Sequence, residues 1–361
     1  MTKTQIIRAV AFLLVAVMFI VLMCDLFECE NTTSYDQNMY TYRHLKKDTV
    51  DAVFLGTSGV DRYWIGPKAY EEYGISLYPL SFDAFPAWLY TDILDEIEGM
   101  QDTKLVLIDI RAFLQTNIKS GRVEIRARRY LDSLPFFSAS RIKVAFKTMK
   151  MLHEIDPENY SEFDPSFLLS FIKYHSRWKE NMSIENNLGS KTHPYGGYFM
   201  SDRRVVKSEE QEKVVYRPDV TKDLDPISEE ALYDLISYVK EKDMKVLFVD
   251  TPQFLTENEM ARVNTVYQIL DKEDMDYVHF YKDNSDEFAI DLDYTTDYYD
   301  ESHVNYYGAE KFTEALATYI DENYDLPDSR KNKTAKEFWD GKYDKLKSKI
   351  AVYEAEKKKE D

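Results

Sequence analysis

A serine on a glycine-flanked turn and a histidine three residues after an aspartate are the side chains of this sequence best suited to work together. The serine is Ser58, in Gly56-Thr57-Ser58-Gly59; the second group is Asp300-Glu301-Ser302-His303. A serine hydroxyl is a weak nucleophile until an imidazole beside it takes its proton. The imidazole needs a carboxylate to fix its tautomer and stabilise the imidazolium, a role open to Asp300 within one turn of chain from His303. Each motif alone also has an ordinary structural reading, since Gly-x-Ser turns after strands are common and Asp-x-x-His arises by chance. Their order favours chemistry: the serine follows the first strand and the histidine precedes the last core helix.

The elements that must position them can be read from apolar patterning. Asp51 to Gly56 predicts a short buried strand ending at the serine turn, Ile75 to Leu80 a second, weaker one, and Lys104 to Ile110 a third covered on both faces. Further strands are expected at Val246–Asp250 and Tyr277–Phe280. Trp88, Leu89, Ile93, Leu94 and Ile97 recur at helical spacing, with Pro86 suited to a first turn. Ser228 is the N-cap candidate for a helix carrying Ala231, Leu232, Leu235, Ile236 and Val239, and a further helix is expected from about Glu257 to Leu270. Ala309, Phe312, Ala315, Leu316, Tyr319 and Ile320 form one face of the last core helix. Alternating strands and helices imply an α/β fold with a mostly parallel sheet between helical layers. Between about 111 and 225 the alternation breaks into an aromatic-rich, mostly helical insertion, and from Lys331 onward an amphipathic helix ends in a charge run.

Composition excludes several classes. With 44% hydrophobic residues the 361-residue chain has the apolar surface to fold. Lys and Arg number 46 against 65 Asp and Glu, a net charge of −19, which argues against a general nucleic-acid binder. Two cysteines, Cys24 and Cys29, cannot make a disulfide scaffold or a multi-thiolate zinc site, and the six histidines include no HExxH pair. No metal or cofactor is expected.

Residues 9–24 carry no charge, and with Ile6 and Ile7 across Arg8 the stretch approaches the roughly 20 residues a spanning helix needs. Lys3 and Arg8 precede it and Asp25, Glu28 and Glu30 follow, so a cytoplasmic N-terminus and an extracellular remainder are expected. A cleaved signal peptide is the rival, but Leu22-Met23-Cys24 before Asp25 offers no small-x-small site. The reading is thus residues 1–24 as stub and transmembrane anchor, 25–48 as an approach segment, 49–330 as the α/β domain with its insertion, and 331–361 as the tail. Cys24 and Cys29 are compatible with pairing, lipidation or free thiols.

The placement of serine and Asp-x-x-His resembles the SGNH (GDSL-like) hydrolase superfamily, and more closely its membrane-anchored members related to the D-alanyl transfer proteins of teichoic-acid modification (DltD-like). The segments that carry the likeness are Val53–Ser58, Tyr174–Lys179, Gly197–Phe199, Asp297–Glu310 and Leu326–Arg330, spanning about residues 48 to 330 behind the anchor. The resemblance implies a flavodoxin-like three-layer fold, with Ser58 as nucleophile, His303 as base and Asp300 as its orienting partner. It also implies a cell-envelope polymer or glycolipid as substrate and a multi-spanning membrane O-acyltransferase as partner. The sequence departs from the superfamily pattern where oxyanion donors are expected: Ser81 stands for a second-block glycine, and no Gly-x-Asn follows the third strand. The backbone N–H groups of Ser58 and Ser81 are the remaining candidates.

Three further features have competing readings. The basic stretch from Lys119 to Lys150 could receive an anionic polymer or lipid headgroup, or be a solvated helix face with Ile142, Ala145, Phe146 and Met149 on the buried side. His175, Arg177 and Trp178 either line the mouth of the site, as the resemblance suggests, or end a helix around one buried aromatic. Arg111 either binds a substrate anion or pairs with an acid of the core. The expected function is a serine-dependent acyl esterase or O-acyltransferase acting outside the membrane on an envelope component. The alternative is a non-catalytic envelope assembly or polymer-binding factor that keeps the fold.

Overall fold

The structure is a computed structural model that describes residues 1–27, 34–115, 121–179, 192–201 and 214–360. Cys29 and Lys119 lie outside the described residues. The chain divides into two compact units, one of Met1–Asp36 with Ile118–Lys191 and one of Gln37–Asn117 with Thr192–Asp361. Of the expected insertion, 118–191 thus falls in the first unit, whereas Arg111 and residues 192–201 belong with the sheet.

The sheet unit is α/β. Its strands are β1 (Ala52–Gly56), β2 (Leu77–Ser81), β3 (Leu105–Asp109), β4 (Val246–Val249) and β5 (Tyr277–Val278). They pair in parallel in the order β2-β1-β3-β4-β5. Every residue of β1 to β4 is buried, as expected of a parallel sheet with helices against both faces. The chain leaves β1 for β2 on one side and reaches β3 on the other. The carboxyl ends of β1 and β3 therefore frame the crevice where open sheets of this order hold ligands.

Local sequence explains the helices. Asn305 caps Tyr306–Asn323 by accepting from the N–H groups of Tyr307 and Gly308, and Thr256 with Glu259 forms a capping box on Glu257–Lys272. The Pro226–Glu241 helix starts earlier than Ser228 suggested. Asp225 caps it and Pro226 fills the first turn, where a missing N–H costs nothing, while the Ser228 hydroxyl donates to the Gln115 carbonyl. The Pro86 region is a short 3-10 turn, Ala87–Leu89, followed by the helix Tyr90–Ile97. The tail forms one helix, Lys333–Glu360, that packs on Gly66–Tyr73. Trp339 anchors it: the indole is fully buried, donates to the Thr49 carbonyl at 3.2 Å and stacks near Tyr70.

In the first unit, Lys3–Leu26 is one helix, apolar and long enough to cross a membrane. Its last turn packs within the unit, where Cys24 is buried and its carbonyl accepts the Ser170 hydroxyl at 3.1 Å. The helices Gly121–Ser133 and Ala139–Ile155 divide the basic stretch between inside and outside. Arg128 is buried, pairs with Glu124 at 2.7 Å and lies over the Phe167 ring. Arg141 is likewise buried, against Asp132 and the Leu131 carbonyl. The expected buried side is half corrected: Ala145 and Met149 are buried, but Ile142 and Phe146 face outward.

Candidate active site

The turn that carries Ser58 is built by close approach. β1 ends at Gly56, and a Cβ there would collide with Asp109 and Val60. A Cβ on Gly59 would lie 2.8 Å from both Arg111 Nη1 and Thr251 Oγ1. Two glycines therefore let the turn sit flush on the ends of β3 and β4 with Ser58 between them. Thr57 is fixed from below, its hydroxyl donating to the buried Asp109 carboxylate at 2.8 Å. Its carbonyl accepts from the Val60 N–H at 3.0 Å and the Ser81 hydroxyl at 2.9 Å. Since the described peptide bonds are all trans, the following Ser58 N–H points the opposite way. As the first residue of the helix Ser58–Tyr63, Ser58 has no intrahelical acceptor for that N–H.

The histidine arrives on a tight loop before the last core helix. Tyr299 and Asp300 both donate their N–H groups to the His303 carbonyl, at 2.8 and 3.3 Å, folding the loop back on itself. Asp300 accepts the Ser302 N–H at 2.8 Å. Its two carboxylate oxygens lie 2.8 and 3.0 Å from His303 Nδ1, and His303 Nε2 lies 2.8 Å from Ser58 Oγ. A carboxylate only accepts, so Nδ1 carries the proton, Nε2 accepts, and the serine hydroxyl donates to it.

Electrostatics suit these roles. Burial holds His303 below its ordinary 6.5, opposed by Asp300 and reinforced by Arg111 and Arg62, so the imidazole is neutral and ready to accept a proton at neutral pH. Burial acts to raise Asp300, but the His303 and Ser302 hydrogen bonds and the Arg62 charge leave it below the ordinary aspartate value.

Ser58, His303 and Asp300 are thus brought together, across 245 residues for the first pair. Ser81 is not at the opening: it is fully buried and supports Thr57 instead of facing a ligand. Arg111 is mostly buried, and its guanidinium donates to the Ser302 and Thr251 carbonyls at 2.7 and 3.1 Å and to the Tyr63 hydroxyl at 3.1 Å. It braces the histidine loop against the helix that begins at Ser58, with Asp109 and Asp250 among the charges that favour its cation. His175 and Arg177 belong to the first unit, on the short 3-10 turn His175–Lys179, where His175 Nδ1 lies 2.9 Å from the Ile172 carbonyl. Trp178 on that turn is exposed, not the buried aromatic of the structural reading.

Several supporting residues escaped the sequence reading. Arg62 donates to Ser201 at 2.9 Å and lies over the Phe199 ring. Asp61, three residues after Ser58, is fully buried beside Arg62 and Ser81. Burial, opposed by Arg62, pushes it up to about 8. An acid at the carboxyl end of two buried strands, Asp109 and Asp250, was the available signal for the floor beneath the site. A cavity of about 760 Å³ adjoins the histidine loop at Glu301 and Ser302, with Arg111, Met260, Phe254 and Tyr294 also in its wall. Among the described residues no group of three or more His, Cys, Asp and Glu is placed to hold a metal ion. Comparison of the chain with protein-family models, curated proteins and solved structures finds no match.

Proposed function

We propose that this chain is a membrane-anchored, SGNH-like serine esterase or O-acyltransferase that acts outside the cytoplasmic membrane on an acylated cell-envelope component. The observation that carries this reading is the unbroken Ser58–His303–Asp300 relay, with 2.8 Å at each link. Ser58 Oγ attacks the acyl carbon while His303 Nε2 takes its proton, and Asp300 stabilises the imidazolium. The Ser58 N–H stabilises the oxyanion; one such donor typically contributes ~10²–10³ in rate. Collapse of the tetrahedral intermediate breaks the ester bond, His303 returns the proton to the leaving alkoxide, and an acyl-Ser58 ester remains. Water or a sugar or polyol hydroxyl, deprotonated by His303, then takes the acyl group as the acyl–Oγ bond breaks, and His303 returns the proton to Ser58 Oγ.

The extracytoplasmic address rests on the Lys3–Leu26 helix and the basic residues before its apolar run. A multi-spanning membrane acyltransferase as acyl supplier fits an anchored enzyme whose serine is only half-buried. The test is a serine-reactive fluorophosphonate probe on the full chain in detergent. Labelling of the native protein that vanishes in Ser58→Ala is expected. Folded native protein that takes no label would overturn the enzyme reading and leave the envelope-binding alternative.

A further inference from the structure

Outside the Lys3–Leu26 helix, every exposed Phe, Ile and Trp among the described residues falls within 121–179 of the first unit. The most open are Phe137 at 73%, Trp178 at 67%, Phe163 at 54%, Ile142 at 51% and Phe146 at 50%. Among the described residues of the sheet unit, the large apolar side chains exposed are Tyr40 and three valines. Monomeric proteins rarely leave such groups adjacent on their surface without a partner for them. Here three of them form one patch: Ile142 and Phe146 lie one turn apart on Ala139–Ile155, and the Phe163 ring stacks near Phe146 with centroids 6.4 Å apart.

Two observations identify what covers this face. The same segment is basic within an acidic chain, with eleven Lys and Arg against seven Asp and Glu over 121–179 (11 − 7 = +4) where the whole sequence carries −19. Lys143 and Lys150 lie on the outward side of the helix that bears Ile142 and Phe146. The unit is also held at the end of the membrane-crossing helix, because the Phe171–Tyr174 helix packs on that helix and Ser170 grips the Cys24 carbonyl. The surface of the bilayer therefore begins at this unit. Aromatic rings with lysines whose stems lie along apolar surface are the side chains suited to that boundary.

We propose that this apolar and basic face of the first unit rests on the anionic surface of the bilayer crossed by its own anchor. Phe146, Phe163 and Ile142 enter the boundary between headgroups and acyl chains, and the lysines beside them meet lipid phosphates. The inference goes beyond acyl chemistry and rests on the anchor reading alone. A second copy of the chain would match the apolar residues but would bring the same positive charge to the contact.

The test uses the full chain in vesicles of brominated phosphatidylcholine, alone or equimolar with brominated phosphatidylglycerol. Trp178 is the one exposed tryptophan, since Trp64, Trp88 and Trp339 are buried. Trp178→Phe removes it, and Phe146→Trp or Phe163→Trp in that background places a reporter within the patch itself. Both reporters should lose about half their emission to the brominated lipid, more with the anionic lipid, and resist aqueous acrylamide. The quenching should not change as protein is diluted in lipid. Reporters open to acrylamide and unaffected by bromolipid, or shielded from both, would overturn the proposal. Alkaline extraction beforehand separates the two readings: release of the chain defeats the anchor, whereas a retained chain with water-exposed reporters defeats only the docking.

Discussion

Replacing Asp61 by Asn tests the electrostatics beneath the Ser58 turn. The carboxyl is fully buried, and burial, opposed by the Arg62 charge, pushes it up to about 8 from an ordinary value of 3.8. The folded protein therefore keeps a proton that the unfolded chain releases. Stability contributed by this group is intact below the unfolded value and falls as pH rises toward the folded one. At about 1.4 kcal/mol per pH unit, the loss is about 2 kcal/mol near pH 5 and about 4 kcal/mol near pH 7. An amide has no such proton to lose. The stability of Asp61→Asn relative to the native chain should thus rise by about 3 kcal/mol over that interval, around a constant offset from the amide's own hydrogen bonding. Burial raises Asp109 and Asp250 as well, the latter to about 7, but that slope is common to both proteins and cancels in the difference. The assay is thermal unfolding of the full chain in neutral detergent across the same pH range. At about 2 °C per kcal/mol the gap in Tm should open by about 6 °C. Parallel Tm curves for the two proteins would refute the buried-proton reasoning.

Asp300→Asn should slow fluorophosphonate labelling by ~10⁴, because an amide no longer fixes the tautomer that leaves Nε2 free to accept; an unchanged rate would remove Asp300 from the relay. The acid limb of the labelling rate should have its midpoint below 6.5, since His303 titrates below that ordinary value and its protonated form cannot take the serine proton. A midpoint above 6.5 would contradict the burial that lowers it. Trp339→Ala should cost about 3–5 kcal/mol in denaturant unfolding, given a fully buried indole donating to the Thr49 carbonyl. A nearly neutral result would mean the tail helix is not part of the fold.

The strands were legible because a strand buried on both faces is a short apolar run between turn residues. All five lie within the expected runs, apart from the last residue of β2, Ser81. Capping was less legible: Ser228 and Asp225 are both good cap residues, and the choice fell to Asp225 because the Ser228 hydroxyl is engaged by the Gln115 carbonyl. The outward turn of Ile142 and Phe146 was not legible at all. Helical periodicity says which residues share a face, not whether that face meets the core or something outside the chain.

The sequence by itself determined the components: an apolar N-terminal helix with a charge-free stretch over 9–24, the alternation of strands and helices, a serine on a glycine turn, and Asp300 within reach of His303. Those depend on neighbours a few residues apart, which the chain specifies locally. Tertiary structure alone decided that Ser58 meets His303 across 245 residues, because that contact follows from strand order and from how the last loop lies over the sheet. It also decided that Ser81 supports a carbonyl, that Arg111 braces two loops, and that Asp61 is sealed from water. A polar side chain's role depends on its burial and its partners, and both are set by segments remote in sequence.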